Sequence, residues 1–462
     1  MVLETVYARA PVWAQHALCS AEGLRLRALR YPPGFDALVH QAQVRLRWTP
    51  EQRAADRVAR LRTMLIHAGR HVPYWRELFG RMEFRPERVQ HEDELRVLPL
   101  LTKDVIVREG PRMWAEQVPA WAGDRVELVT SGTTGAGLSF RASRAAVRQQ
   151  WAVCWRYRLA NGIGRGTWCA QLGGRVVVPL SQRGGPWHRI NVAGRQLLLS
   201  GYHLGPHTAG EYLAQIRRRE IAWIHGYPSL VVLLAQAALA ERVRLPALRW
   251  VTLASETVTP GQRRLITEAF DLSPREHYAQ TEAVANASQG ADGLLRLDDD
   301  FSLVELVPAS EHEDGAAAGH RRIVGTSLDN WHQPFLRYDT GDLVVLDPAD
   351  DDQAPGRALL DIDGRQEDYV ELGSGARVGR TDHVFKTLTF IREAQIRQRE
   401  PGAVAIHVVP RREWTPAHEA ALRREVALRL GHDMRVEVVR EERLPRTPRG
   451  KLRLVVREGD GG

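Results

Sequence analysis

Leu128-Val-Thr-Ser-Gly-Thr-Thr-Gly-Ala-Gly-Leu-Ser-Phe140 reads as an apolar strand, a turn of hydroxyl and glycine residues, and a second strand. Thr130, Ser131, Gly132, Thr133, Thr134 and Gly135 are all small. Residues of this kind leave backbone N–H groups uncovered, and glycine lets the chain approach a ligand closely, so the loop can wrap a phosphate chain. No Gly-Lys-Ser/Thr follows, which excludes a Walker A loop. Taken alone, a small-residue loop between strands is more often only a turn. Its meaning rests on what surrounds it.

The chain of 462 residues can bury a large core and should hold two or three domains. Apolar content of 44% and charged content of 26% are those of a soluble protein. The run Leu230–Ala240 is about half a membrane span and reads as a buried helix, and the N-terminus lacks an apolar signal core. Cys19, Cys154 and Cys169 stand in no metal or disulfide spacing. These features fit a cytoplasmic, reduced protein with no membrane anchor. The formal charge of +8 raises nucleic acid as a partner, but the arginines are interleaved with acids and form no basic tail. Of 64 basic residues only Lys103, Lys386 and Lys451 are lysines. A lysine kept in so arginine-rich a chain suits a place where a slim point charge is needed rather than a planar fork.

Outward from the loop, Thr49-Pro-Glu-Gln52 and Thr259-Pro-Gly-Gln262 each carry a threonine cap, a proline at the first helical position and a reciprocal Gln. Thr102 is a third cap. From about residue 125 strands and helices alternate. Helices are expected at Arg144–Leu159, Ala209–Arg219, Ser229–Ala240 and Pro260–Phe270. Strands are expected at Arg175–Leu180, Ile221–Ile224, Trp250–Ala254 and Glu276–Ala279. Between 301 and 362 short strands take over, including Ser302–Val307, Arg321–Thr326, Phe335–Tyr338, Leu343–Leu346 and Ala358–Ile362, with exposed loops at 310–319 and 347–356. The end reads helix Asp382–Gln398, strand Ala403–Val409, helix Pro416–Leu430, strand Arg435–Val439 and strand Leu452–Val456. The fold class is α/β: a large α/β sandwich domain with a β-rich subdomain, then a small mobile α+β domain. The expected domains are a helical leader over 1–100 packed on the large domain, a large domain over 101–364 and a small C-terminal domain over 365–462.

Four further stretches carry chemistry. His277-Tyr-Ala-Gln-Thr-Glu282 ends a strand with an aromatic ring, a hydroxyl and a carboxylate in one loop, which could stack a base, hold a phosphate oxygen and bind Mg²⁺. Arg337-Tyr-Asp-Thr-Gly-Asp342 supplies a carboxylate suited to two ribose hydroxyls, though an Asp-rich hairpin turn would look the same. Ile362-Asp-Gly-Arg-Gln-Glu-Asp368 lies at a domain boundary, and Leu444-Pro-Arg-Thr-Pro-Arg-Gly-Lys451 puts a lysine on a glycine turn.

In this order and spacing the five stretches resemble the adenylate-forming (AMP-binding) superfamily of acyl-CoA synthetases, firefly luciferase and peptide-synthetase adenylation domains. The resemblance runs from about Lys103 to Lys451. Val72-Pro-Tyr-Trp75, Leu98-Pro-Leu-Leu-Thr-Lys103, Gly226-Tyr-Pro-Ser229, Ser255-Glu256 and Asn330-Trp-His-Gln-Pro-Phe-Leu-Arg-Tyr338 are similar to its phenylacetate–CoA ligase and CapK-like branch. The resemblance implies that Thr130, Ser131, Gly132, Thr133, Thr134 and Gly135 hold the outer phosphates of ATP. It implies that Ser255 and Glu256 line the adenine pocket, Tyr278 stacks on the base, Thr281 meets the α-phosphate and Glu282 binds Mg²⁺. Asp342 would take the ribose with Arg365 nearby, Glu367 would be the hinge and Lys451 the catalytic lysine. Lys103 would be a structural residue at a helix start. The chain departs from the family at Ala136-Gly137, where Pro then Lys or Thr is usual, at Ala279 for Gly, and at Glu367 for Asp.

The expected function is an ATP- and Mg²⁺-dependent ligase that adenylates a carboxylic acid, releases pyrophosphate and passes the acyl group to coenzyme A. Transfer to an amine, a hydroxyl or a carrier-protein thiol in a natural-product or polysaccharide pathway is the rival within enzymes. A basic nucleic-acid-binding protein is the rival outside them, and it leaves the five ordered motifs unexplained. Trp151, Trp155, His225 and Tyr227 are the residues expected to face the acyl group, although aromatic residues at helical spacing are more often core. The acid, the acceptor and the oligomeric state, a homodimer included, stay open at this point.

Overall fold

The computed structural model describes residues 2–130, 138–205, 207–309, 320–348, 356–363, 369–373, 377–378, 381–385, 388, 390–411, 413–431, 433–445 and 454–457. A twelve-stranded sheet forms its centre. Five strands run parallel in the order Arg275–Ala279, Trp250–Ala254, Trp223–Gly226, Cys169–Gly173, Gln196–Ser200. Helices Ala209–Arg218, Pro228–Ala240 and Pro260–Phe270 pack through Leu213, Ile216, Leu234, Ala235 and Ile266 onto the buried Ile224, Val251 and Leu253. This is the crossover arrangement that parallel strands require. The short strands Leu303–Pro308, His320–Thr326, Tyr338–Leu346 and Ala358–Asp363 join the same sheet, through Leu295–Leu297 and Asn286–Gln289. They therefore extend the large sheet edgewise.

The three threonine caps form as read. Thr49 Oγ1 accepts from the Gln52 N–H at 3.3 Å and the Gln52 side chain accepts from the Thr49 N–H at 3.0 Å. The pair at Thr259 and Gln262 repeats this at 3.2 and 2.9 Å, and Thr102 starts Lys103–Glu109. Each cap stabilises its helix by about 1 kcal/mol. Helix Pro50–His71 then buries Leu61, Met64, Leu65 and Ala68, an i, i+3, i+4, i+7 stripe, against Trp331, Phe335 and Leu336.

Helices Val2–Arg9, Val12–Arg30 and Phe35–Arg45 precede it. The second covers the sheet edge. His16 Nδ1 accepts from the Ile190 N–H at 3.1 Å, and Ser20 Oγ accepts from the Val192 N–H at 3.1 Å, so edge groups of the strand His188–Asn191 are paired rather than open to another chain. Gly23 allows this approach, since a Cβ there would lie 2.0 Å from Asn191 Oδ1.

Some sequence expectations give way. Arg175–Leu180 is not a strand. The parallel strand is Cys169–Gly173, and after Gly173-Gly174 the apolar Val176 and Leu180 pack against the C-terminal unit. The strands His188–Asn191 and Gln196–Ser200 were not expected at all, because the first is polar and is covered by the distant helix Val12–Arg30. Phe335–Tyr338 begins as a strand only at Tyr338, since Arg337 is held at φ 51°. Asp382–Gln398 is not one helix: Thr381–Val384 is a single tight turn and Ile391–Gln398 is a strand. Its Glu, Ala, Gln and Arg favour helix, but Ile391, Ala394 and Ile396 are buried by pairing with Ala403–Pro410, and tertiary packing overrides the propensity. The C-terminal sheet runs Arg435–Arg440, Ala403–Pro410, Ile391–Gln398, Val455–Arg457, with helix Pro416–Leu430 packed on it through Leu422, Val426 and Leu430. The loop expected at 310–319, and residues 349–355 of the loop expected at 347–356, lie outside the described residues.

Candidate active site

The loop that opens the sequence reading, 131–137, lies outside the described residues, but its two ends do not. The Thr130 N–H donates to the Leu138 carbonyl at 2.9 Å, and the Leu138 N–H donates back to Thr130 Oγ1 at 3.0 Å. The chain thus leaves and re-enters one point, on the antiparallel pair Arg125–Val129 and Ser139–Ser143. That pair is held by amides the sequence reading assigned no role. Asn330 Oδ1 accepts from the Ser143 N–H at 3.0 Å, its Nδ2 donates to the Arg141 carbonyl at 2.9 Å, and Gln333 Oε1 accepts from the Arg141 N–H at 2.9 Å. Both amides are buried. Their signal in the sequence is two amides inside the apolar Asn330-Trp-His-Gln-Pro-Phe run, which a buried segment keeps only if they are bonded.

The other motif residues gather at the carboxyl ends of the parallel strands, where open α/β sheets bind ligands. Tyr278 and Asp342 are 64 positions apart, yet the Tyr278 hydroxyl donates to Asp342 Oδ2 at 2.7 Å. Gln280 Nε2 donates to the same oxygen at 2.9 Å and also contacts the Tyr278 hydroxyl. One carboxylate oxygen of Asp342 is thereby fixed. The Tyr338 hydroxyl donates to Glu282 Oε1 at 3.3 Å, and Thr281 is exposed beside it. Ser255, at the end of the strand Trp250–Ala254, has φ 75°, a conformation a side chain adopts only under constraint. Next to it, Glu256 accepts from the Ser229 N–H and hydroxyl, both at 2.9 Å, and so caps helix Pro228–Ala240. Arg365, Glu367 and Lys451 lie outside the described residues.

Beneath these strand ends lies a cavity of about 1320 Å³. Trp151, Trp155, His225 and Tyr227 all line it, Ala254 and Ser255 form part of its wall, and Ala427, Leu428 and Arg429 of the C-terminal helix reach it. His225 Nδ1 is 2.8 Å from Thr252 Oγ1, which also accepts from the Trp223 indole N–H at 2.8 Å. Burial, and then the charge of Arg158, push His225 down to about 3, and the same two causes bring His277 to about 3.

Both imidazoles are therefore neutral in the folded protein. Each begins from an ordinary value of 6.5, so its contribution to stability is complete above that value and is lost as pH falls towards 3. Thermal unfolding followed from about pH 8 to about pH 4 is expected to show a midpoint that drops below about pH 6, with a shallower drop in H277N. An acid slope unaltered by H277N would remove this residue from the account.

Among the described residues no three His, Cys, Asp or Glu side chains form a metal cluster. Mg²⁺ held by one carboxylate and by substrate phosphates needs none, and Glu282 offers such a carboxylate. No helix among the described residues is long and apolar enough to cross a membrane.

Residues 373–458 match the family described as the CapK C-terminal domain. Protein CapK of Staphylococcus aureus is 22% identical over 369 residues, covering 78% of this chain and 79% of that protein. Among solved structures, 2-hydroxyisobutyryl-CoA ligase in the postadenylation state with R3-HIB-AMP aligns at TM-score 0.54 and 17% identity, over 89% of this chain and 91% of the other. The same ligase with 2-HIB-AMP and CoA in the thioesterification state aligns at TM-score 0.54 and 18% identity, over 88% and 90%. The chain thus has the mixed α/β fold of adenylate-forming ligases, and its C-terminal segment is CapK-like.

Proposed function

We propose that this chain, an adenylate-forming fold ending in a CapK-type domain, activates a carboxylic acid with ATP and then transfers the acyl group, with coenzyme A as the acceptor. The observation that carries the reading is the meeting of Tyr278, Gln280 and Asp342 at the strand ends, above an aromatic cavity large enough for an acid. Residues far apart in sequence bond to one another where a nucleotide would sit.

In this reading Tyr278 stacks on adenine beside Ser255 and Glu256. Asp342 keeps one oxygen bonded to Tyr278 and Gln280 and turns the other to the ribose, with Arg365 near. Thr130 to Gly135 hold the β- and γ-phosphates, and the Thr130–Leu138 clasp sets the width of that loop. Thr281 meets the α-phosphate. Glu282 would hold Mg²⁺, which when bound offsets charge on the phosphates. The acid lies between Trp151, Trp155, His225 and Tyr227. Its carboxylate attacks the α-phosphorus, the α–β phosphoanhydride bond breaks, and pyrophosphate leaves. Lys451 offsets the negative charge that builds on the phosphoryl oxygens. The C-terminal domain then turns about Glu367, removing Lys451 and admitting the acceptor, as two reactions on one site require.

ATP–pyrophosphate exchange over a panel of carboxylic acids tests the first half. Acid-dependent exchange is expected. Its absence with every acid, together with no ATP binding, would remove the ligase reading. D342A is expected to raise KM for ATP about tenfold or more by taking away the ribose contact. Coenzyme A, amines and carrier proteins offered as acceptors decide the second half.

A further inference from the structure

Among the described residues, the cavity holds a cation with no ion-pair partner. Helix Arg144–Ala160 carries Arg156 and Arg158, two residues apart, with opposite circumstances. Arg156 is paired with Asp298 and Asp300. Arg158 points into the cavity among three indoles, 4.9 Å from the ring centres of Trp155 and Trp223 and 5.5 Å from that of Trp151. Its guanidinium has no hydrogen-bond or ion-pair partner among the described residues. Arg30 lies 4.2 Å from the Trp151 centre, with no ion-pair partner among the described residues, although Glu22 feels its charge.

The two carboxylates on the cavity wall are already engaged. Glu22 pairs with Arg25 at 2.7 Å, and Asp36 pairs with Arg165. No thiolate or phenolate takes their place, because burial raises Cys154, Cys169 and Tyr31 and keeps them neutral. Burial, and after it the charges of Arg175 and Arg158, hold Arg30 below its ordinary range. Enclosed like charges with no acceptor for their N–H groups are unfavourable, and an oxyanion is what relieves them. The indoles cover apolar ligand surface, while a guanidinium edge takes a planar carboxylate through two parallel hydrogen bonds.

The strand that separates the two ends sets the scale of the ligand. Arg158 sits by Trp223, the first residue of its strand, and the proposed adenylation centre is at the other end, beside Gly226 and Ala254. Three residues of strand span about 10 Å. We infer that the acid activated here is a dicarboxylate, extended or aromatic, with its second carboxylate held by Arg158 and Arg30 about 10 Å from the reacting one. This rests on the adenylation reading for which end reacts, and on the cavity alone for the anion.

The test pairs suberate with octanoate and biphenyl-4,4′-dicarboxylate with biphenyl-4-carboxylate. In pyrophosphate exchange, kcat/KM for each diacid is expected to exceed that of its partner about tenfold or more. R158Q is expected to lower this ratio by a similar factor, chiefly through KM, with R158K between the two. A wild-type preference for the monoacids, or equal loss on both by R158Q, would overturn the inference. Calorimetric titration of the full chain with the same acids keeps the two proposals apart. Diacid binding that R158Q weakens, with no exchange from any acid, would sink adenylation and leave the anion site standing. No diacid binding to the wild type would sink the anion site. R158Q weakening coenzyme A but not the diacid would assign the arginine to the acceptor's phosphates and also overturn the inference. R30Q repeats each measurement should R158Q fail to fold.

Discussion

Replacing Lys451 by alanine is expected to slow acyl-adenylate formation about 10²–10³-fold, the loss typical when one preorganised partner of a developing oxyanion is removed. In the proposed reaction two anions must meet, the carboxylate and the α-phosphate, and the charge between them grows before pyrophosphate departs. In a chain whose 64 basic residues include only three lysines, a lysine following Gly450 is a choice of shape as much as of charge. K451R is therefore expected to recover little, because a guanidinium is wider and directs its donors in a plane. The measurement is ATP–pyrophosphate exchange at saturating acid, with ATP affinity followed by calorimetry. A fall in exchange with ATP affinity nearly kept is the signature of an interaction made only in the transition state. Acyl transfer from preformed acyl-adenylate should fall far less, since the proposed turn of the C-terminal domain withdraws the lysine for that step. Undiminished exchange in K451A would take the lysine out of the chemistry.

The parts of this molecule legible in its sequence are those set by local physics. Thr49, Thr102 and Thr259 cap helices because the residues that make the cap lie within three positions. Helices Pro260–Phe270 and Pro416–Leu430 have the bounds their prolines give them. The meeting of Tyr278 with Asp342 was readable only as an order of motifs, and the 2.7 Å bond between them had no local sign. What stayed hidden depends on distant partners. Ile391–Gln398 looks helical until Ala403–Pro410 pairs with it. His188–Asn191 looks like loop until Val12–Arg30 covers it. Arg156 and Arg158 are indistinguishable on paper, because nothing local says which of them meets aspartates and which meets indoles.

The second large effect belongs to Arg156, and R156M is expected to destabilise the fold by about 3–5 kcal/mol at neutral pH. Arg156 Nη2 reaches Asp298 Oδ1 at 2.7 Å, and Nη1 reaches Asp300 Oδ2 at 2.8 Å and the Ala42 carbonyl at 2.8 Å. All three charged residues are at most 6% exposed. The arginine thus joins helix Phe35–Arg45, its own helix and the 298–300 turn, and Arg60 continues the network from the Asp300 carbonyl to Asp329 at 2.9 Å. The Asp329 backbone carbonyl in turn accepts from the Ser143 hydroxyl at 2.6 Å, at the end of the hairpin Arg125–Val129 and Ser139–Ser143. Methionine fills much of the same space but leaves buried Asp298 with only the Ser288 hydroxyl and buried Asp300 with only the more distant Arg45, at 3.9 Å. One guanidinium already serves two acids, and burial with the neighbouring Asp300 pushes Asp298 up from 3.8 to about 6 even as Arg156 pulls it down. A carboxyl raised on folding contributes stability that is complete below 3.8 and lost as pH rises through about 6. The R156M deficit should therefore be largest at neutral pH and shrink in acid, where Asp298 can take up a proton. Denaturant midpoints at about pH 7 and about pH 5 check the sign. The variant R156M/D298N/D300N should be more stable than R156M alone, because removing the unpaired charges removes most of the cost. If the added substitutions merely subtract further stability, the three side chains act independently and the network is a crowd of separate contacts.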